Sequence, residues 1–299
     1  MKFIKKAAAL LLAFLMLLVP ATALADETNV TDTTTAESFV CYGDDLNSEQ
    51  FEKVMNLLGA DLSKDQLIKV TIDDEKALLG SIISADKIGS RSLSSARVTL
   101  TGEGTGISVT TQNINWVTSS MYSSALATAG VDNARIVVAA PVEVSGTAAL
   151  AGILKAYESA ASTQLSDEAK AVAGSEMVLT GDLADMIGSD DAVELLAMVK
   201  NAIAEYHLDD YDSLRPYVEQ GAKQLGVQLT EDQIDQITKL GVQIAKLDLD
   251  PEKLAGQLNG LVDNIQKIQK VQQSAGSIFT NIKTAVQGFF NWIGSWFKR

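Results

Sequence analysis

The first half of the chain alternates between two hydrophobic periods. Between Phe39 and about Ala161, short β-rich runs alternate with stretches of helical spacing, which is typical of a layered α/β or α+β domain. An apolar run at 134–140 has almost no polar position, so it predicts a strand in the middle of its sheet, ended by Pro141. The pattern therefore predicts an N-terminal α/β domain over residues 38–161.

Capping residues and glycines indicate where the helices and strands of this half begin and end. Asn47 and Gln50 form a capping-box pattern before a helix at 48–58, and Gly59 follows as its stop. Two β-rich runs, 92–101 and 107–114, flank a Gly-Glu-Gly-Thr-Gly stretch at 102–106. That arrangement predicts a hairpin with a glycine-rich turn rather than a phosphate loop. Either Ser145 or Thr147 is expected to cap the helix at 148–160.

The second half carries helical periods only. Residues 166–299 are predicted to form an all-α domain of five or six helices, so the fold class is α+β with a boundary near 161–166. The candidate N-caps are Ser166, Asp190, Asp212, Thr230 and Asp250. Gln233 completes a capping box with Thr230.

The last 24 residues, 276–299, predict a long amphipathic helix. The apolar positions recur every three or four residues and share one stripe. They are Ile278, Phe279, Ile282, Val286, Phe289, Phe290, Ile293, Trp296 and Phe297. No acidic residue follows Asp263, whereas five basic residues do. A basic helix with bulky aromatic side chains on one side suits an anionic membrane surface.

The same stripe has a second interpretation. Leu254, Leu258, Leu261, Ile265 and Ile268 begin a heptad seam that runs on into it. A seam of this kind could pack against the chain's own helices or against a second copy of the chain. The pattern leaves both interpretations open, because amphipathicity does not distinguish a partner surface from a core.

The amino terminus has the three parts of a secretory signal peptide. Lysines precede a short apolar run, and the small residues Ala23 and Ala25 predict cleavage after Ala25. Residues 1–25 are therefore expected to be removed, and 26–37, rich in Thr and Asp, to form a disordered leader. The expected location is secreted or extracellular, with possible attachment to the cell envelope.

The net charge limits the class of partner, and the cysteine count limits the disulfide bonds that the chain can form. The chain has a net charge of −14, which becomes −17 once the three lysines of the signal peptide are removed. Such a charge repels phosphate backbones, so no nucleic-acid partner is expected. Cys41 is the single cysteine; it excludes an internal disulfide and is expected to be a buried apolar residue.

Few residues could support catalysis or hold a metal. His207 is the only histidine and lies at the polar end of a helix, and no Gly-x-Ser-x-Gly motif occurs. Acidic pairs at 44–45, 73–74, 190–191 and 209–210 lack EF-hand spacing, and most of them lie at predicted helix starts, where capping explains them. No catalytic residue, cofactor or metal ligand is predicted. Four side chains could line a cleft in the first domain: Arg91, Arg97, Trp116 and Tyr122.

Several stretches resemble one known family. They are KIGSRSLSSA at 87–96, GISV at 106–109, NINWVT at 113–118, AAP at 139–141, VSGTAAL at 144–150, TGDLA at 180–184 and LTEDQI at 229–234. Together they resemble the domain of unknown function 1002 family across nearly the whole mature chain. Members of that family are predicted to be extracellular and come mostly from Gram-positive bacteria. The resemblance therefore implies secretion and this two-part layout. It implies no activity and no site residues.

Three hypotheses follow. The first is an exported, non-enzymatic interaction protein of the cell envelope, whose ligand is unknown and whose C-terminal helix lies on a membrane or a partner. The second is a secreted hydrolase of envelope polymers with an acidic-residue site. The third is a structural oligomer joined through the heptad helix.

Overall fold

A computed structural model describes residues 38–81, 90–263 and 265. Within these ranges the strands are β1 Ser38–Gly43, β2 Gln66–Val70, β3 Ser95–Leu100, β4 Ile107–Ile114 and β5 Ala134–Val144. The helices are α1 Ser48–Leu58, α2 Ile72–Leu79, α3 Ser119–Thr128, α4 Thr147–Ala161, α5 Asp167–Ile187, α6 Ser189–Tyr206, α7 Tyr211–Leu225 and α8 Glu231–Ala245. Residues 251–263 are also helical. In these ranges the chain forms a sheet with helices first and only helices after it, and this order confirms the α+β class.

The strands form one mixed sheet in the order β2-β1-β3-β5-β4. β1 runs parallel to β2 and antiparallel to β3, while β5 runs antiparallel to β3 and parallel to β4. The apolar run therefore lies between two partners, as predicted. The predicted hairpin is wrong, because β5 lies between β3 and β4 and pairs with both. A strand with so few polar positions requires a partner on each side and a covered face on each side.

Pro141 does not end β5, contrary to the expectation. Register with β3 stops at Ala139, and beyond it no strand of the described residues pairs with that side of β5, so none needs a proline N–H. On its other side β4 bulges between Gln112 and Ile114, where Asn113 has a positive φ of 57°. The Asn113 amide donates to the carbonyl of Ala140 at 2.8 Å, which holds the bulge.

Local capping chemistry explains most helix starts. Asn47 with Gln50 and Thr230 with Gln233 form the predicted capping boxes, and Ser166 caps α5. Asp250 accepts from the backbone N–H of Glu252, at the start of the 251–263 segment. Three other predictions are wrong. Gly146 and Gly188, both at positive φ, precede α4 and α6, and Asp210 rather than Asp212 caps α7.

Two large apolar cores share helix α5, and a smaller one packs α1 on the sheet through Val54, Met55 and Leu58. The larger one lies between the sheet, α3, α4 and one face of α5, and includes Met177 and Val178 of α5. The second joins α5 to α6, α7 and α8 around Leu195, Leu196 and Ile237. α5 therefore contributes to both cores. The 38–161 and 166–299 division into domains stays a prediction about folding units, although strands do give way to helices between α4 and α5.

The predicted segments at both ends lie outside the described residues. These are the signal peptide 1–25 with Ala23 and Ala25, the leader 26–37, and the amphipathic stripe from Ile278 to Phe297. None of the helices in the described ranges combines the length and apolarity that a membrane span requires.

Candidate functional site

Glu75 is a fully buried acid on α2 that contacts the first residue of α4. It lies on the inner face of α2, one turn before the buried Leu79, and its Oε1 accepts a hydrogen bond from the Thr147 hydroxyl. Its Oε2 is buried and has no hydrogen-bond partner among the described residues. Burial raises the pKa of Glu75 to about 7, and the Thr147 hydrogen bond opposes that shift. A carboxyl in this setting titrates near neutral pH.

Tyr122 and Gly146 complete the surroundings of this acid. The Tyr122 hydroxyl donates to the carbonyl of Gly146, the residue that precedes α4. Gly146 has a φ of 94°, and a Cβ there would lie 2.6 Å from both Ile114 Cγ2 and Tyr122 Oη. Only glycine fits this position, because both the backbone conformation and the space exclude a side chain. Burial and the nearby Glu75 raise the pKa of Tyr122 well above its ordinary value.

A second buried cluster joins α3 to α5 and α6. Lys200 Nζ lies 2.7 Å from Glu176 Oε1, 2.8 Å from Ser124 Oγ, 3.0 Å from the Ser124 carbonyl and 3.2 Å from Thr128 Oγ1. The hydroxyls of Ser124 and Thr128 each donate to Glu176 as well. Burial lowers the pKa of Lys200, and the Glu176 carboxylate opposes that shift. Every charged atom of this cluster is in hydrogen-bond contact, as burial of charge requires.

An open groove of about 810 Å³ lies on the surface beside β4. Its walls are the glycine-rich turn and β4 from 103 to 109, the serine face of α3, and the helical segment from 253 to 261. Ser119, Ser120 and Ser123 supply hydroxyls, and Gly256 and Gly260 add no side chain to the helical wall. This surface offers hydrogen-bonding groups and room for an extended ligand.

Long-range contacts hold the helical segment 253–261, which forms one wall of the groove, against the rest of the protein. Lys253 Nζ pairs with Asp132 Oδ2 at 2.7 Å, and Gln257 Nε2 donates to the Val131 carbonyl at 3.1 Å. Leu254 and Leu258 are buried against Ala127 of α3 and Ala197 of α6. Because the beginning of the predicted heptad seam packs in this way, those positions belong to the protein's own core.

The structure does not bring the predicted cleft residues together at the surface. Arg97 pairs with Asp65, with Nε 2.8 Å from Oδ2, and Arg91 is exposed. Tyr122 is fully buried beside Gly146. Trp116 is partly buried against Gly181 of α5, where a Cβ would lie 2.3 Å from the indole ring. Arg97, Tyr122 and Trp116 each contact a different neighbour, so these side chains do not line one cleft.

The remaining candidates from the sequence serve local structure. Asp74 completes a capping box with Thr71, Asp210 caps α7, and Asp44 pairs with Lys69 at 2.8 Å. Nowhere in the described part of the chain do three or more His, Cys, Asp or Glu side chains gather as metal ligands would. Cys41 is buried as expected, and burial raises the pKa of its thiol to about 12. His207 is exposed at the end of α6.

Sequence reasoning missed Lys200 and the two fully buried acids, Glu75 and Glu176. The signal was present, because each residue lies at helical spacing among apolar residues. Lys200 follows Leu196 by four positions and precedes Ile203 by three, and Glu176 likewise follows Val172 by four. A charged residue on an apolar helical face indicates a buried partner. The pattern does not say which residue that partner is.

Comparison with known proteins gives a family and a relative. Residues 42–261 match the family described as "Protein of unknown function (DUF1002)". The chain is also 34% identical over 285 residues to "Uncharacterized protein YpuA" of Bacillus subtilis (strain 168), covering 93% of this chain and 96% of that protein. No solved structure matches this chain.

Proposed function

The chain belongs to the DUF1002 family of proteins of unknown function, and from that premise we propose that it is an exported, non-enzymatic binding protein of the bacterial cell envelope. The observation that carries the binding role is the groove beside β4. It is open, and its lining combines serine hydroxyls and glycines with apolar side chains such as Ile107 and Leu261. The two carboxyl clusters, by contrast, are enclosed, and their contacts join elements of the fold to one another.

Export is supported by the first 25 residues. Lys2, Lys5 and Lys6 precede an apolar run that is shorter than a membrane span, and Ala23 and Ala25 follow it at the spacing of a cleavage site. Signal peptidase would release a chain that begins at Asp26. Attachment to the envelope after cleavage would then depend on another part of the protein.

The C-terminal stripe supplies that attachment in our proposal. The five basic residues after Asp263 would attract anionic headgroups, and the aromatic and aliphatic stripe would enter the headgroup boundary. Leu254 and Leu258 are buried in the protein's own body. The beginning of the seam is thus already occupied, and this favours a surface role for the stripe over an oligomer joined along the whole seam.

Cell fractionation with N-terminal sequencing tests export. The producing cells should release the protein to the medium or hold it at their surface, with Asp26 as its first residue. Replacement of Ala23 and Ala25 by Arg should leave an uncleaved precursor. A wild-type protein that stays in the cytoplasm with Met1 intact would contradict the proposal.

Liposome flotation tests the attachment. The mature chain should float with vesicles of phosphatidylglycerol and phosphatidylcholine and stay at the bottom without Gly276–Arg299. Phe290→Ser with Trp296→Ser should reduce flotation, and the matched polar-face pair Asn281→Ser with Asn291→Ser should not. Equal behaviour of the mature and shortened chains would remove the membrane role from the tail.

A further inference from the structure

The outer edge of β4 forms one wall of the groove, because consecutive residues of that strand line it. Ile107, Ser108 and Val109 are consecutive, so their side chains point to alternate faces of the sheet, yet all three line the same groove. Consecutive residues do so only where the edge of the strand, rather than one of its faces, forms the wall. β4 is also the outermost strand on its side of the sheet among the described residues.

The hydrogen-bond pattern shows which backbone groups reach that edge. Ile107 is in register with Ala134, whose N–H donates to the carbonyl of Gly106 at 3.1 Å. In a parallel ladder this places Gly106 and Ser108 on the side of β5, and turns the N–H and C=O groups of Ile107 and Val109 outward. The groove wall therefore offers the bonding pattern that an additional strand would use.

The other walls leave room for such a strand. Among the described residues, a Cβ placed on Gly256 or Gly260 would meet no atom within 4 Å, so there is space beside these two positions. Across from them α3 presents Ser119, Ser120 and Ser123. These small residues allow another backbone to come close, whereas larger side chains would fill the groove.

Charge indicates the kind of chain that fits. Asp132 is already paired with Lys253, whereas Glu103 is exposed at the mouth of the groove and belongs to no ion pair among the described residues. The whole protein is strongly acidic, with a net charge of −14 before processing. Both the local and the overall charge would attract a basic partner and repel an acidic one.

We propose that this groove binds an extended, basic segment of another polypeptide, which adds to the free edge of β4 as a further strand of the sheet. The main-chain bonds to Ile107 and Val109 would supply affinity, and Glu103 would favour basic side chains. The inference rests on the proposed binding role and names its site and class of partner.

Fluorescence anisotropy with a labelled peptide tests it. The probe is acetyl-Lys-Val-Lys-Val-Lys-Val-amide, which favours an extended backbone and carries positive charge. It should bind the mature protein. The same peptide N-methylated at alternate residues, and a version with Glu for Lys, should each bind at least about tenfold more weakly. Equal binding of the N-methylated peptide would overturn strand addition, and binding of a chito-oligosaccharide in place of the peptide would overturn the class of partner.

Gly256 offers a matched pair of variants. Gly256→Leu would fill the groove and should weaken peptide binding by at least about tenfold, whereas Gly256→Ala should change it less than about twofold. Both variants should fold, because each replaces a helical glycine by a better helix former in open space. Unchanged binding to Gly256→Leu, or no peptide binding to wild type, would overturn the inference.

These outcomes separate this inference from the proposed function. A protein that is exported and floats with vesicles but does not bind the peptide overturns the groove assignment alone. A protein that binds the peptide but stays in the cytoplasm with Met1 intact overturns export and leaves the groove as a peptide site.

Discussion

Glu176 and Glu75 are both fully buried acids on helices, and they satisfy burial in different ways. Glu176 accepts from Lys200, Ser124 and Thr128, so its charge has a counter-charge and hydroxyl donors around it. In the part of the chain that the structure describes, Glu75 accepts only from Thr147, and its second oxygen has no hydrogen-bond partner. Burial raises the pKa of Glu75 to about 7, although the Thr147 hydrogen bond and the charge of Lys76 oppose that shift. The difference shows two ways in which a fold tolerates a buried carboxyl. Glu176 pairs with an opposite charge, whereas Glu75 keeps its proton up to about pH 7.

Removal of the Lys200 charge beside Glu176 should have the largest effect on the free energy of unfolding. Lys200→Met leaves Glu176 as an unpaired buried charge and should lower the free energy of unfolding by about 3–5 kcal/mol, measured by urea denaturation. The double variant with Glu176→Met should recover much of that loss, because no lone charge remains. As a control, Lys239→Met breaks the exposed pair with Asp235 and should cost under about 1 kcal/mol. A Lys200→Met protein as stable as wild type would contradict the role of the ion pair.

The next largest effect should be the pH dependence that Glu75 causes. The folded protein keeps the Glu75 proton up to about pH 7, whereas the ordinary value for the unfolded chain is 4.5. The folded state therefore binds more protons in this window, and its stability should fall as the pH rises through it, by up to about 3 kcal/mol. The stability difference between wild type and Glu75→Gln isolates this term from the other titrating groups.

Above about pH 7 Glu75→Gln should be the more stable protein, and below about pH 4.5 the difference should level off. A difference that does not change between pH 4 and pH 8 would show that Glu75 titrates at an ordinary pKa.

Loss of the single donor to Glu75 should have an intermediate effect. Thr147→Val removes the hydroxyl at nearly constant volume and should cost about 2 kcal/mol at pH 8, where the carboxyl is ionised. At pH 5 the cost should be smaller, because the neutral acid depends less on a donor. An equal cost at the two pH values would indicate lost packing rather than a lost hydrogen bond.

Loss of one of the several donors to Glu176 should have the smallest effect. Ser124→Ala leaves Glu176 with Lys200 and Thr128 and should cost about 1 kcal/mol at both pH values. Differential scanning calorimetry of Ser124→Ala and Thr147→Val at pH 8 compares the two sites directly. If Ser124→Ala is the more damaging of the two, the shared donors do not protect Glu176 as its geometry indicates.

Strands and helices were predictable where the local pattern is strong. The capping boxes of α1 and α8 consist of residues three positions apart, so the sequence contains the whole interaction. The apolar run of β5 likewise predicted its central place in the sheet. The hairpin was wrong because two runs joined by a short glycine-rich turn are compatible with direct pairing and with insertion of a third strand. Only the later pairing of β5 with both decides between them.

The groove and the buried pairs could not be predicted. Lys200 and Ser124 are 76 positions apart, and Lys253 and Asp132 are 121 positions apart. Helical periodicity shows that such a residue lies on an apolar face, but it carries no information on what packs there. The groove wall at Gly256 exists because the helical segment from 251 docks onto α3, a contact between distant parts of the chain.

The sequence by itself determined the α+β class, most of the helix starts and the burial of Cys41, because these depend on periodicity, neighbouring residues and residue type. It also predicts the export signal and the basic tail. The tertiary structure alone decided the strand order, the burial of Leu254 and Leu258 in the protein's own core, and the contrast between Glu75 and Glu176. The physical reason is the same in each case, because pairing, desolvation and charge compensation depend on residues that only the folded chain brings together.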